Sequence, residues 1–145
     1  MEYFYLTDPG KVRERNEDSV LIIKNDFDEY LLVVADGLGG HTGGEIASNI
    51  VVNKIGKRFE EMGRIGSKED TINWIKEIVG EANASIYKFT SENPESAGMG
   101  TTLVMSILTK EFLLFGNVGD SSGFVMKDNN LHKVTYDHTL VNLLV

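Results

Sequence analysis

The residues best suited to chemistry are carboxylates placed at the ends of apolar segments. Asp36 follows the apolar run 31–35 and precedes a glycine-rich turn, while Glu17 and Asp18 stand directly before a second run, 19–24. If the two runs are neighbouring antiparallel strands, the three acids meet at one end of a sheet. Converging carboxylates repel one another, so a bound cation is the natural resolution. The alternative is an ordinary strand-to-helix turn in which Asp36 leads into the helix.

Composition excludes several classes of protein. With 145 residues the chain is expected to be one domain, and its 41% hydrophobic and 25% charged residues are ordinary globular values. A net charge of −8 without a basic run argues against a nucleic-acid-binding module. The absence of cysteine rules out a disulfide scaffold and a thiolate site. No apolar run reaches the length of a membrane span, so we expect a soluble, cytoplasmic protein.

Periodicity and turn residues predict strands, then two helices, then strands again. The first helix is predicted at 45–62 with one apolar face, and the second begins at the N-cap Ser67 and ends near 92–94. Strands are predicted at 3–6, 19–24, 31–35, 103–107, 112–118, 123–126 and 131–134. This order indicates an α+β fold and not alternating βαβ units.

Five segments of the chain, taken in order, resemble a known family. They are GKVRERNEDS, VVADGLGGHTGGE, GMGTTL, NVGDS and TYDHTLVNLLV. In order and spacing they resemble the bacterial metal-dependent serine/threonine protein phosphatases of the type-2C family. The resemblance implies an antiparallel β-sandwich flanked by helices. It also implies that residues 1–145 are the N-terminal portion of a single phosphatase-like domain, incomplete at its C-terminal side.

The resemblance also implies a set of metal ligands. Asp36 is expected to bridge two Mn²⁺ or Mg²⁺ ions, and Glu17 and the carbonyl group of Gly37 are expected to bind the second of them. Asp18 is expected to hold water molecules around the ions, and Asp120 to help bind a third ion. Oxygen donors of this kind suit hard divalent cations. Taken alone, Asp120 in a Gly-Asp turn is more often a turn former than a ligand.

The resemblance makes Arg13 the residue that binds the substrate phosphate, since its planar guanidinium matches two phosphate oxygens. The alternative is a surface ion pair between Arg13 and Glu17. The chain departs from the family at Leu38, where animal members have a histidine proposed as general acid. It departs again at Ser122, where the family usually has arginine, and we have no account of that change.

Several other polar residues are predicted to have structural roles. Thr101 and Thr102 are expected to satisfy backbone groups with their hydroxyls, and His138 to make a structural hydrogen bond. His41, which follows two glycines and has no second histidine nearby, is expected to pack in its loop. None of these four residues is predicted to bind a metal.

Three functions are consistent with these residues. The first is hydrolysis of phosphoserine and phosphothreonine on proteins by a water molecule activated at a binuclear metal centre, with a cognate Ser/Thr kinase as partner. Two further acids of the family's first metal site have no counterpart here, so the isolated chain is expected to be weak or inactive. The second is a catalytically dead binding or regulatory module. The third is a half-domain completed by another chain or by self-association. None of the three functions involves a nucleic acid or a membrane as partner.

Overall fold

The computed structural model describes residues 1–40 and 42–138. Its elements, in chain order, are β1 (Asp18–Lys24), β2 (Tyr30–Leu38), α1 (Gly43–Met62), α2 (Lys68–Glu92), a 3₁₀ turn (Pro94–Ser96), β3 (Gly100–Thr101), β4 (Leu103–Leu108), β5 (Leu113–Val118), β6 (Phe124–Lys127) and β7 (Asn130–Lys133). Within the described ranges this is the predicted order of strands, two helices and strands. The α+β fold class is confirmed.

One antiparallel sheet carries most of the strands. Its order is β1-β2-β4-β5, and β3 pairs with the end of β2, while β6 and β7 form a separate hairpin. In the register of the first pair, Asp18 lies opposite Asp36 and Lys24 lies opposite Tyr30. The predicted meeting of the acid-bearing strand ends is therefore confirmed.

The two helices form where the apolar periodicity predicts them. On α1 the i, i+4 residues Ala47, Val51, Ile55 and Phe59 are all buried. Helix α2 begins with the predicted cap, because the Ser67 side chain accepts a hydrogen bond from the backbone N–H of Asp70. Both helices contribute buried side chains to one core with the sheet.

The core lies between the helices and one face of the sheet. Leu31, Val33 and Ala35 of β2 point into it, as every second residue of a strand must. Trp74 is partly buried against this core and meets the Phe59 ring edge-on, with ring centroids 6.5 Å apart. The core fixes β2, and with it the position of Asp36, relative to α1.

The predicted strand at 3–6 is wrong. These residues belong to no strand, and Phe4 and Leu6 are 84% and 81% exposed. Phe4, Tyr5 and Leu6 instead border a groove on the sheet face that the helices leave open. An aromatic run forms a strand only where a neighbouring strand pairs with it, and no described strand pairs with this one.

In the described ranges, no helix is long and apolar enough to cross a membrane.

Candidate active site

The acids at the end of the β1–β2 ladder form the centre of the candidate site. Asp18 and Asp36 are directly opposite each other, and both are exposed. The sequence placed Asp36 after the end of its strand, whereas β2 continues to Leu38 because Gly37 and Leu38 pair with Thr101 and Gly100. Asp36 is thus an internal residue of β2, with Asp18 of β1 opposite it on one side and Thr102, between β3 and β4, bonded to it on the other.

Close backbone packing holds Glu17 beside β2. The Gly37 N–H donates to the Glu17 carbonyl oxygen at 3.2 Å. A Cβ on Gly37 would overlap the Gly44 carbonyl group, and a Cβ on Gly44 would lie 2.7 Å from Glu17 Oε2. Side chains are therefore excluded at both glycines because the Glu17 segment and the start of α1 approach β2 so closely.

A buried serine also fixes the Glu17 segment. Ser48 on α1 is fully buried, and its hydroxyl donates to the Glu17 carbonyl oxygen at 2.7 Å. The Ser48 hydroxyl oxygen also lies 2.8 Å from Ser19 Oγ, which in turn is 3.1 Å from Asn49 Oδ1. If Ser48 donates to Glu17, Ser19 must donate to Ser48, because each hydroxyl has a single hydrogen. Helix α1 is thereby tied to the residues on both sides of Asp18.

Thr102 ties Asp36 to the turn that carries Asp120. Its N–H donates to the Asp36 carbonyl at 2.9 Å, and its Oγ1 accepts from the Asp36 N–H at 3.0 Å. The same Oγ1 lies 2.6 Å from the hydroxyl of Ser121. The prediction that the Thr102 hydroxyl satisfies backbone is confirmed.

His138 fastens the same turn from the other side. The Gly119 N–H donates to His138 Nδ1 at 3.2 Å, and the His138 N–H donates to the Gly119 carbonyl at 2.8 Å. The predicted structural hydrogen bond of His138 is confirmed. Gly119 has φ of +100°, and a Cβ there would lie 2.8 Å from Thr102 Cγ2, so glycine is required at this position. Asp120 comes directly after Gly119 and is exposed, and the bonds to Gly119 fix the backbone beside it.

Arg13 faces the acids from the N-terminal loop. A cleft of about 250 Å³ is lined by Asp8, Pro9, Arg13, Arg15, Asn16, Glu17, Asp18 and Asp36. Asn16 closes this loop, since its Nδ2 donates to Thr7 Oγ1 at 2.6 Å and its Oδ1 accepts from the Asp18 N–H at 3.0 Å. Among the described residues Arg13 forms no ion pair, so the alternative pairing with Glu17 is not observed.

The electrostatics of the cleft show excess negative charge at Asp36. The pKa of its carboxyl is raised, first because the group is partly withdrawn from water, and then by the charge of Asp18 and a hydrogen bond with that carboxyl. The charge of Asp120 raises the pKa further, and the guanidinium of Arg13 opposes these effects. Asp18, Asp120 and Arg13, which sequence reasoning assigned to one site with Asp36, therefore all act on that carboxyl.

The donor chemistry suits a divalent cation, although the described side chains do not by themselves make a complete cation site. The carboxylates of Asp18 and Asp36 repel each other, and a hard cation would relieve that repulsion with the oxygen ligands it prefers. Within residues 1–40 and 42–138, no three His, Cys, Asp or Glu side chains are close enough together to hold a metal ion. The metal roles of Glu17, Gly37, Asp36 and Asp120 stay predictions.

Sequence reasoning missed the residues that position the acids. The positioning roles of Ser48 and Ser121 were not predicted, because their side-chain partners lie 31 and 19 positions away in the chain. The role of Asn16 was also missed, although its bond to the Asp18 N–H is local. His41 lies outside the described residues, so its predicted packing is not tested.

A further cleft of about 520 Å³ lies at the opposite end of the sheet, between the β1–β2 loop, the α1–α2 connection and the β4–β5 hairpin, away from all the predicted site residues.

Comparison with known families identifies this arrangement of residues. The family described as Protein phosphatase 2C matches residues 11–140, which include every predicted site residue. The chain belongs to the protein phosphatase 2C family. The prediction made from the five sequence segments is confirmed. The match runs from the N-terminal loop that carries Arg13 to the segment after His138.

Curated relatives of this phosphatase 2C chain are found in Listeria and Streptococcus. The "Serine/threonine phosphatase stp" of Listeria welshimeri is 34% identical over 141 residues, covering 97% of this chain and 56% of the relative. The "Protein phosphatase PhpP" of Streptococcus pneumoniae is 31% identical over 149 residues, covering 100% of this chain and 58% of the relative. The chain thus spans a little over half the length of the curated relatives it matches.

Solved structures of phosphatase 2C proteins agree with this fold. The serine/threonine phosphatase Stp1 from Staphylococcus aureus superposes with a TM-score of 0.86 at 36% identity, covering 96% of this chain and 54% of that one. The catalytic domain of PstP, solved "in complex with 2 Manganese ions", superposes with a TM-score of 0.82 at 32% identity, covering 96% of this chain and 56% of that one.

Proposed function

We propose that this chain is part of a phosphatase domain that hydrolyses phosphoserine and phosphothreonine on proteins. The observation that carries the proposal is the meeting of Asp18, Asp36 and Arg13 in one cleft at the end of the β1–β2 ladder. Relatives named serine/threonine phosphatases support the reaction class.

Arg13 binds the substrate phosphate in this proposal. Its guanidinium lines the cleft, it is exposed, and no described acid pairs with it, so its donors are available. A guanidinium donates two parallel hydrogen bonds to two phosphate oxygens, which also orients the phosphorus atom. The bonds of Asn16 to Thr7 and to the Asp18 N–H tie the loop that carries Arg13 to the start of β1.

Asp36, Glu17 and the Gly37 carbonyl hold two Mn²⁺ or Mg²⁺ ions in this proposal, and Asp120 contributes to a third. The manganese ions named for PstP and the mutual repulsion of Asp18 and Asp36 support this assignment. Two divalent ions bound there would supply an activated water for attack on phosphorus and would offset the charge that develops. Asp18 would orient that water by accepting its hydrogen bond. Leu38 is exposed and has no proton to donate, so protonation of the leaving oxygen would fall to water.

We infer that the chain in isolation turns over weakly or not at all. Among the described residues, no three His, Cys, Asp or Glu side chains come together, and a tightly bound ion requires more protein ligands than that. Completion by another chain or by a second copy, or a binding role without catalysis, are the alternatives. Exposed apolar side chains on the open sheet face and edge, among them Val34, Leu113 and Val118, favour association. A cytoplasmic location and a partner Ser/Thr kinase stay predictions.

The test is hydrolysis of p-nitrophenyl phosphate by this chain across a Mn²⁺ titration, with Mn²⁺ binding measured in parallel by calorimetry. Asp36→Asn should abolish metal-dependent turnover and weaken Mn²⁺ binding. Asp26→Asn is the matched control, because it makes the same change at an exposed acid at the opposite end of the sheet. Arg13→Ala should raise KM for a phosphopeptide more than it weakens Mn²⁺ binding.

Each outcome of that test has a defined meaning. Binding of Mn²⁺ without turnover, lost in Asp36→Asn alone, would support the metal assignment and the weak activity of the isolated chain. Equal Mn²⁺ binding and equal turnover by wild type and Asp36→Asn would overturn the role of Asp36. No Mn²⁺ binding by the wild-type chain would favour the role without catalysis.

A further inference from the structure

A second arginine, Arg15, occupies the loop that carries Arg13. Both arginines line the 250 Å³ cleft together with Glu17, Asp18 and Asp36. The loop is closed at its base by Asn16, which bonds both to Thr7 and to the Asp18 N–H, so the two arginines are held at one wall of the cleft. The resemblance to type-2C phosphatases assigned a role to Arg13 and none to Arg15.

Arg15 has no partner within the described part of the chain. It forms no ion pair there, although this chain has 22 acidic residues against 14 basic ones and Glu14 is its direct neighbour. It is also exposed, so its side chain supports no buried contact. An unpaired guanidinium at the wall of a cleft is free to bind an anion from outside.

Arg15 and Arg13 line the same cleft and are two residues apart in the chain. The proposed function assigns Arg13 to the scissile phosphate, so Arg15 remains for a group that lies beside that phosphate. Two residues of separation limit the distance between the two Cα atoms to about 7 Å.

We propose that Arg15 is a specificity-determining residue that binds a second acidic group on the substrate, beside the phosphate bound by Arg13. The inference rests on the proposed phosphatase function and names its substrate class, a phosphopeptide with a carboxylate or a second phosphate close to the scissile phosphate. An extended peptide advances about 3.3–3.6 Å per residue, so the second group belongs one or two residues away from the phosphorylated one.

The experiment measures binding of labelled phosphothreonine peptides to this chain in the presence of Mn²⁺ by fluorescence anisotropy. One peptide has alanine at the flanking positions, one has glutamate two residues from the phosphothreonine, and one has a second phosphothreonine there. The glutamate peptide without phosphate is the fourth probe. Low ionic strength is used, because salt screens exposed charges.

The wild-type chain should bind the glutamate peptide about 2- to 5-fold more tightly than the alanine peptide, as expected for an exposed charge pair. A stronger preference for the second phosphate than for glutamate would identify phosphate as the preferred group, and the reverse would identify carboxylate. Arg15→Ala should abolish the preference and keep binding of the alanine peptide. Arg15→Lys should restore part of the preference, because lysine keeps the charge without the planar fork.

Lys11→Ala is the matched control. Lys11 is a basic residue on the same loop that does not line the cleft, so its loss changes net charge equally and should leave the preference intact. A preference that survives Arg15→Ala, or that is absent from the wild type while phosphopeptide binding persists, would overturn the role of Arg15 alone. Equal binding of the phosphorylated and unphosphorylated glutamate peptides would overturn the proposed function and this inference together.

Discussion

Replacing Ser48 by alanine removes the hydroxyl that connects α1 to the Glu17 segment. This side chain is fully buried, and it makes two contacts outside its own helix: its hydroxyl donates to the Glu17 carbonyl at 2.7 Å and lies 2.8 Å from Ser19 Oγ. A third and longer contact, of 3.2 Å, is with the Glu45 carbonyl of the same helix. The Glu17 carbonyl keeps the N–H of Gly37, and the hydrogen of the Ser19 hydroxyl can turn to Asn49 Oδ1, so neither partner is left without a hydrogen bond. The loss is therefore limited to the two bonds themselves.

The magnitude follows from these contacts. Each net hydrogen bond contributes about 0.5–1.5 kcal/mol, and alanine regains up to about 0.5 kcal/mol of helix propensity over serine. We expect Ser48→Ala to lower the free energy of unfolding by about 1–2 kcal/mol. In a chain of this length that corresponds to a fall in Tm of about 2–8 °C. Under the proposed function, Mn²⁺ binding should weaken as well, because Glu17 loses its support.

The assay is urea denaturation of the metal-free chain, with Ser85→Ala as the matched control. Ser85 also donates from a helix to a backbone carbonyl, that of Glu81 at 3.0 Å, but it supports no site residue. We expect Ser85→Ala to change stability by less than about 0.5 kcal/mol, as for most partly exposed positions. Combining Ser48→Ala with Ser19→Ala should give less than the sum of the single changes, since the two hydroxyls share one bond. Equal effects of Ser48→Ala and Ser85→Ala would refute the reasoning.

Three further predictions concern the unfolding of the chain in urea with a chelator present. Asp36→Asn should stabilise the chain by about 0.2–1 kcal/mol, because it removes the repulsion between two opposed carboxylates. The folded-state pKa of Asp36 is raised, so this gain is present above that pKa and disappears as the pH falls below the ordinary aspartate value. A loss of stability at neutral pH would contradict the prediction. Glu29→Ala should lower the free energy of unfolding by about 1–3 kcal/mol, because the buried Glu29 carboxylate accepts a hydrogen bond from the Ile65 N–H at 2.8 Å. Glu29→Gln keeps an acceptor and should lower it by less, and equal losses would contradict this. Gly37→Ala should lower the free energy of unfolding by at least about 3 kcal/mol, since the new Cβ would overlap the Gly44 carbonyl group. A variant with near wild-type stability would show that β2 and the start of α1 separate easily.

The sequence by itself determined the local elements and the meeting of the acids. Apolar spacing predicts the buried face of α1, and Ser67 predicts the start of α2, because a helix period and a cap depend on residues only a few positions apart. A short loop between two apolar runs predicts their antiparallel pairing, which places Asp18 opposite Asp36. Local reasoning failed at 3–6, where a strand-like run has no strand to pair with.

Only the tertiary structure decided what holds the acids in place. Ser48 reaches Glu17 across 31 positions and Thr102 reaches Asp36 across 66, while His138 is bonded to Gly119 across 19. A polar side chain has many potential partners along a chain, and burial between packed elements selects one of them. The sequence thus determines which residues are present at the site, and the packing of α1, β4 and the last described segment determines their arrangement.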